Sequence, residues 1–98
     1  MSHAEFLASL QAARPPAGLT LAQAALWHAK KGDWEAAHGC AQDHAGWEGA
    51  WVHAYLHRWE GDEANARYWY RRAGRPFPHG SLEEEWQQLF QALVPASA

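Results

Sequence analysis

The sequence contains very little cysteine and no long apolar run. Cys40 is the only cysteine among 98 residues, which excludes a disulfide within the chain and a zinc site built on paired cysteines. The N-terminal segment MSHAEFLASLQAARPP lacks the basic start and apolar run of a signal peptide, so we expect none. No stretch is long and apolar enough to predict a membrane span. These absences predict a cytoplasmic protein without a membrane partner.

Positive charge is also scarce. Eight lysines and arginines stand against eleven aspartates and glutamates, and the net charge is −3 with the histidines neutral. This balance argues against nucleic acid as a partner.

The sequence also has no glycine-rich phosphate loop, no readable Ser-His-Asp spacing and no HExxH motif. We therefore expect that the protein is not an enzyme and uses no cofactor.

Tryptophan is the residue present in excess. Seven tryptophans occur in a chain that is 48% hydrophobic and 19% charged, a composition that favours folding over disorder. Each can bury about 150–250 Å², so a few of them can supply much of a core. The length predicts a single domain over residues 1–98.

Helix signals run along the whole chain, and the alternation typical of strands is absent. Three capping boxes predict helix starts, at Ser2/Glu5, Thr20/Gln23 and Ser81/Glu84. Helix hairpins are predicted at about 20–43 and 47–74, with flanking helices at about 3–13 and 81–93. The last of these carries three glutamates, 83–85, in its first turn, where we expect a solvated face that complements the helix dipole. The predicted fold class is all-α, with five or six helices.

Each hairpin turns at a Gly-Asp pair, and the two glycines, Gly32 and Gly61, lie 29 residues apart. Such a period predicts stacked helical repeats, because neither hairpin can bury its apolar face alone. The second hairpin resembles a tetratricopeptide or Sel1-like repeat in its small residues at the helix crossing, its turn and its trailing proline. The matching residues are Ala54, Gly61, Asp62, Ala66, Tyr70, Ala73 and Pro78, with Ala25, Gly32, Asp33 and Ala37 in the first hairpin.

The resemblance implies a right-handed α-α superhelix that binds another protein or a second copy of itself. The first hairpin departs from the pattern, since Ala41 replaces the aromatic residue and His44 replaces the second small residue. The period is also shorter than the usual roughly 34 residues. The segments HAYLHR, EGD and YWYRRAGRP additionally resemble a group of small bacterial helical proteins, a likeness that implies no activity.

An aromatic stripe recurs every four residues along the predicted fourth helix, at Trp47, Trp51, Tyr55 and Trp59. The resemblance implies that Glu48, Trp51, Tyr55, Arg58 and Trp59 line a concave groove that could hold a peptide. The stripe could instead pack against the last helix, whose Trp86, Leu89, Phe90 and Leu93 need a partner, or form a self-association patch. The sequence leaves these three alternatives open.

Arginines gather on the predicted fifth helix. Arg67, Arg71 and Arg75 recur every four residues, with Tyr68 beside them and Arg58 at the edge. Arginine with tyrosine is the composition of binding hot spots, and guanidinium groups form charge-assisted bonds with carboxylates. We predict that this surface binds an acidic or carboxylate-bearing segment of a partner protein. The alternative is a solvated face paired with nearby glutamates.

Histidines offer a second class of function, metal or small-ligand binding that uses clustered histidines and tryptophans. His53 and His57 share a helix face at metal-ligand spacing, but the sequence positions no third ligand. We therefore expect structural roles and no bound metal. His38, Cys40 and His44 form H-x-C-x3-H, in which a Cys–His nucleophile pair competes with an inert, small apolar cysteine.

Overall fold

The computed structural model describes residues 1–96. Within that range the chain forms six α-helices and no strand, which confirms the all-α prediction. The helices are α1 (His3–Ser9), α2 (Leu21–Lys30), α3 (Trp34–Asp43), α4 (Trp47–Glu60), α5 (Glu63–Ala73) and α6 (Leu82–Leu93).

Local capping signals begin the helices where the sequence predicts them. All three capping boxes are formed, at the starts of α1, α2 and α6. Gly32 and Gly61 adopt the left-handed conformation, with φ of 83° and 90°, and close α2 and α4. Asp33 and Asp62 then accept hydrogen bonds from the third backbone amide of the next helix, at 3.1 and 3.2 Å. Short-range chemistry therefore sets both hairpin turns.

Helix α1 is shorter than predicted. It ends at Ser9, whereas the sequence predicts a helix to about residue 13. The chain past Ser9 tightens into turns in which each amide bonds three residues back, as in Gln11 to Ala8. The Lys31 ammonium donates hydrogen bonds to the carbonyl oxygens of Leu10 and Ala12, at 2.7 and 3.1 Å. Lys31, just past the end of α2, thus ties this segment to the first hairpin.

Helix α4 is the centre of the molecule. It contacts α2, α3, α5 and α6, and its residues 49–57 are all buried. Ala54 and Ala66 are fully buried where α4 meets α5, and Tyr70 is 2% exposed, as the sequence predicts. Gly49 lets the start of α4 approach the end of α3, because a β-carbon there would lie 2.4 Å from the His44 carbonyl oxygen. Small residues therefore fix how closely these helices pack.

Helices α1 and α6 close one side of the hairpins. Phe6 of α1 lies against Phe90 of α6, with ring centroids 5.5 Å apart. The Trp86 indole stacks on Phe90 and donates a hydrogen bond to the Leu26 carbonyl of α2, at 3.0 Å. This aromatic layer ties the last helix to the first hairpin, and it places α6 along α4.

Candidate functional site

The aromatic stripe is largely covered by α6. Trp51 is 2% exposed and Tyr55 is 7% exposed, whereas Trp59 is half-buried and Trp47 is 48% exposed. Of the predicted groove, Glu48, Arg58 and Trp59 are half-buried, and Trp51 and Tyr55 are buried. Packing against the last helix, one of the three alternatives, thus accounts for the middle of the stripe.

A buried carboxylate holds this interface together. Glu85 of α6 is 2% exposed. It accepts hydrogen bonds from the Trp51 indole at 3.1 Å, the Tyr70 hydroxyl at 2.7 Å and the Arg58 guanidinium at 2.9 Å. The prediction that residues 83–85 form a solvated face is therefore wrong for Glu85, although Glu83 and Glu84 are exposed. Glu85 faces inward because α6 carries it on the same side as its apolar residues.

The two tyrosine hydroxyls near Glu85, those of Tyr70 and Tyr55, stay protonated. Burial, followed by the hydrogen bond to Glu85, raises the pKa of Tyr70 well above its usual range. Burial also raises the pKa of Tyr55 to about 12. Both hydroxyls therefore keep their protons at neutral pH, and the Tyr70 hydroxyl remains a donor to the carboxylate.

The predicted arginine surface divides into parts with different environments. Arg58 belongs to the interior, since it pairs with Glu85 and also donates to the Gly80 carbonyl. Arg67 is half exposed, lies over the Phe77 ring and sits 3.4 Å from Glu63. Arg71 is exposed. Arg58 therefore leaves the predicted surface, whereas Arg67, Arg71 and Arg75 are exposed.

Tyr68 pairs with an arginine outside the predicted set. It is 44% exposed, and its hydroxyl accepts a hydrogen bond from Arg72 at 3.2 Å. Arg72 also lies over the Trp69 ring. The i, i+4 spacing of Tyr68 and Arg72 could have shown this pair in the sequence. Tyr68 thus belongs to a neighbouring patch with Arg72.

A cleft opens where Arg75 meets α6. It has a volume of about 440 Å³ and is lined by Trp51, Arg75, Gln87, Gln88, Gln91 and Ala92. The Arg75 guanidinium lies over the Trp51 ring, 3.5 Å from its centre, in a cation–π contact. Sequence reasoning missed the glutamines, because their position beside Arg75 depends on how α6 packs against α4.

A second group of side chains lies between α3, α4 and α5. His53 and His57, one turn apart on α4, are 5% and 6% exposed. His38 of α3 completes the group, with its Nε2 3.0 Å from the Nε2 of His53. One ring nitrogen from each histidine lies within 4.8 Å of the others. The structure thus supplies the third histidine that the sequence could not position.

The histidine rings are fixed by their neighbours. Trp34 stacks on His38 and Trp69 stacks on His53, with ring centroids 4.7 and 3.9 Å apart. Nδ1 of His57 lies 2.7 Å from a Glu60 carboxylate oxygen. Burial lowers the pKa of His53 to about 4, and the positive charges that His38 and His57 can carry add to this effect. His53 is therefore neutral at pH 7.

The three residues of the H-x-C-x3-H segment have separate environments in the structure. His38 joins the histidine group, while Cys40 is half-buried. Burial and the nearby Asp43 carboxylate raise the pKa of the Cys40 thiol. A raised pKa leaves less of the reactive thiolate, so Cys40 lacks the environment of a nucleophile. Nδ1 of His44 is buried without a hydrogen-bond partner among the described residues.

Searches against protein-family models, curated proteins and solved structures found no match. Among residues 1–96, no helix combines the length and apolar character needed to cross a membrane.

Proposed function

We propose that the chain is a protein–protein interaction module built from two Sel1-like or tetratricopeptide-like hairpins. Three features support this proposal: left-handed glycines at both turns, aspartate caps after them, and buried alanines where α4 meets α5. Helix α2 also contacts α4, as expected when consecutive hairpins stack. Helices α1 and α6 then cover the two hairpins.

The partner we propose is the C-terminal carboxylate of another protein, preceded by acidic residues. The observation that carries this is the cleft between Arg75 and α6. Its lining combines the apolar Trp51 and Ala92 with the Arg75 guanidinium and three glutamine side chains. Because Trp51 is covered by Arg75, a terminal residue would place its carboxylate against Arg75 and its side chain beside the exposed Ala92.

Recognition would depend on the preorganised guanidinium. Contact with the Trp51 ring restricts the Arg75 guanidinium, which reduces the entropy lost when its N–H groups bind a carboxylate. The glutamine amides can donate to the second oxygen or to the peptide backbone. Arg71 is exposed in the last turn of α5, and Arg75 follows just past the end of that helix, so acidic residues upstream of the terminus could pair with Arg71.

Peptide binding to the untagged protein tests this proposal. We expect that peptides ending in a free carboxylate after two or three acidic residues bind in fluorescence anisotropy. The same peptides with amidated ends should bind much more weakly. Affinity should fall as salt rises, because exposed charges are screened beyond about 10 Å at 0.1 M ionic strength.

Arg75→Gln should abolish peptide binding while leaving the fold intact, because Arg75 is exposed. Arg14→Gln, which removes an exposed arginine outside the cleft, is the matched control and should bind normally. Equal binding of free and amidated peptides, or full binding by Arg75→Gln, would refute the cleft as the site. Sedimentation analysis should separately show whether a second copy of the chain is the partner.

A further inference from the structure

The three histidines between α3 and α4 have the arrangement of a metal centre, and we propose that they bind a divalent zinc-type ion. His53 and His57 project from one face of α4, and His38 reaches them from α3. The sequence predicts no metal here, because it positions only two ligands. His38 lies fifteen residues before His53, and only the packing of α3 on α4 brings it within reach.

The ring nitrogens are already close to coordination distances. Zinc–nitrogen bonds of about 2.0–2.1 Å in a tetrahedral site place two ligand nitrogens roughly 3.3–3.4 Å apart. The Nε2 atoms of His38 and His53 are 3.0 Å apart, and the three ligand nitrogens lie within 4.8 Å of one another. The His38–His53 pair is therefore close to a zinc-bound separation, and coordination of one ion by all three requires side-chain rotations within the 4.8 Å limit.

Glu60 fixes the orientation of one ligand. Its carboxylate lies 2.7 Å from Nδ1 of His57, so the Nε2 of that ring is the nitrogen left to coordinate. A carboxylate that accepts the second N–H of a ligand histidine is a recurring feature of zinc sites, where it sets the tautomer and raises ligand basicity. Glu60 is thus a positioning residue in the proposed site.

The surroundings favour the neutral imidazoles that a metal requires. Burial lowers the pKa values of both His38 and His53, which disfavours the protonated forms. Trp34 and Trp69 stack on these two rings and exclude water from their faces. His38 is only half-buried, which leaves a route for the ion from solvent.

The ligand set selects among metals. Three imidazoles suit Zn²⁺, Ni²⁺ or Cu²⁺, whereas Ca²⁺ and Mg²⁺ prefer oxygen ligands. Three protein nitrogens also leave a fourth tetrahedral position for water or another small ligand. We assign Zn²⁺, for which Co²⁺ serves as a coloured probe of the same geometry. This site is separate from the peptide cleft, and neither proposal depends on the other.

Cobalt titration of untagged, metal-stripped protein near neutral pH tests the site. We expect visible absorption bands of tetrahedral Co²⁺ that saturate at one ion per chain and disappear when Zn²⁺ is added. If no such bands develop while circular dichroism shows a folded protein, the proposal fails and the histidines are a hydrogen-bonded stack.

Variants locate the ion. His38→Gln should abolish the cobalt bands, whereas His79→Gln, which changes an exposed histidine outside the group, should leave them unchanged. Because His38→Gln could disturb packing, Glu60→Gln provides a second measurement at an exposed carboxylate, and it should weaken binding about 10–100-fold. Bands that persist unchanged in both His38→Gln and Glu60→Gln would overturn the assignment.

Discussion

Glu85 shows how strongly one residue can shape this molecule. A carboxylate is rarely buried without partners, because removing it from water is costly. Here it accepts bonds from an indole, a phenol and a guanidinium, which belong to Trp51, Tyr70 and Arg58 on two other helices. The same bonds make Trp51 and Arg58 parts of the interior. A single buried charge thereby helps decide which aromatic and basic side chains remain available to a partner.

Replacing this carboxylate should strongly destabilise the folded protein. Glu85→Ala leaves Arg58, whose side chain is 17% exposed, without its anionic partner, and it removes the acceptor of the Trp51 and Tyr70 donors. We expect a loss of about 3–5 kcal/mol in the free energy of unfolding, measured by urea denaturation.

Glu83→Ala is the matched control for this measurement, since it removes an exposed glutamate from the same helical turn. It should change the unfolding free energy by no more than about 0.5 kcal/mol. Similar effects of the two substitutions would show that Glu85 is not the buried centre of a network.

The two Gly-Asp turns explain the organisation of the helical elements. Each glycine sits at positive φ where the chain leaves one helix, and each aspartate caps the next. After Gly61, the amide of Asp62 also bonds the His57 carbonyl at 2.9 Å, which closes the end of α4. Only a residue without a β-carbon adopts this conformation without strain, so the turn depends on glycine.

Gly61→Val should therefore destabilise the protein by more than about 1 kcal/mol, because a β-branched side chain is poorly tolerated at φ of 90°. The space around Gly61 is open, so backbone strain would cause the loss without any clash. Thermal unfolding followed by circular dichroism measures the effect.

Gly39→Ala provides the opposite expectation within the same chain. Gly39 lies inside α3 at ordinary helical φ, with no neighbouring atom within 4 Å of a new β-carbon. Alanine there should stabilise the protein by about 0.5–1 kcal/mol.

A Gly61→Val protein with an unchanged melting temperature would contradict the assigned turn.

At the scale of the whole molecule, the features that could be predicted from the sequence are those set by interactions between residues close in the chain. Capping boxes, Gly-Asp turns and apolar periodicity act within a few residues, so the helices, both hairpins and the burial of Ala54 and Ala66 could be predicted. The predicted end of α1 was wrong: the helix ends at Ser9, and Lys31, past the end of α2, donates hydrogen bonds to the carbonyl oxygens of Leu10 and Ala12.

The candidate sites were harder to predict, because they join distant segments. His38 meets His53 only when α3 packs on α4, and Glu85 reaches Trp51 across 34 positions of sequence. Arg75 and the α6 glutamines face each other for the same reason. Residue spacing within one helix shows which side chains share a face. It cannot show which side chains another helix places opposite that face.

The central claim, that the cleft beside Arg75 binds a carboxylate terminus, is tested most directly by NMR. The side-chain amides of Gln87, Gln88 and Gln91 report on the cleft lining. Titration with an acidic peptide that has a free C-terminus should shift these signals, and the amidated peptide should shift them far less. Absent shifts at the cleft, or shifts confined to the patch of Tyr68 and Arg72, would contradict the proposed site.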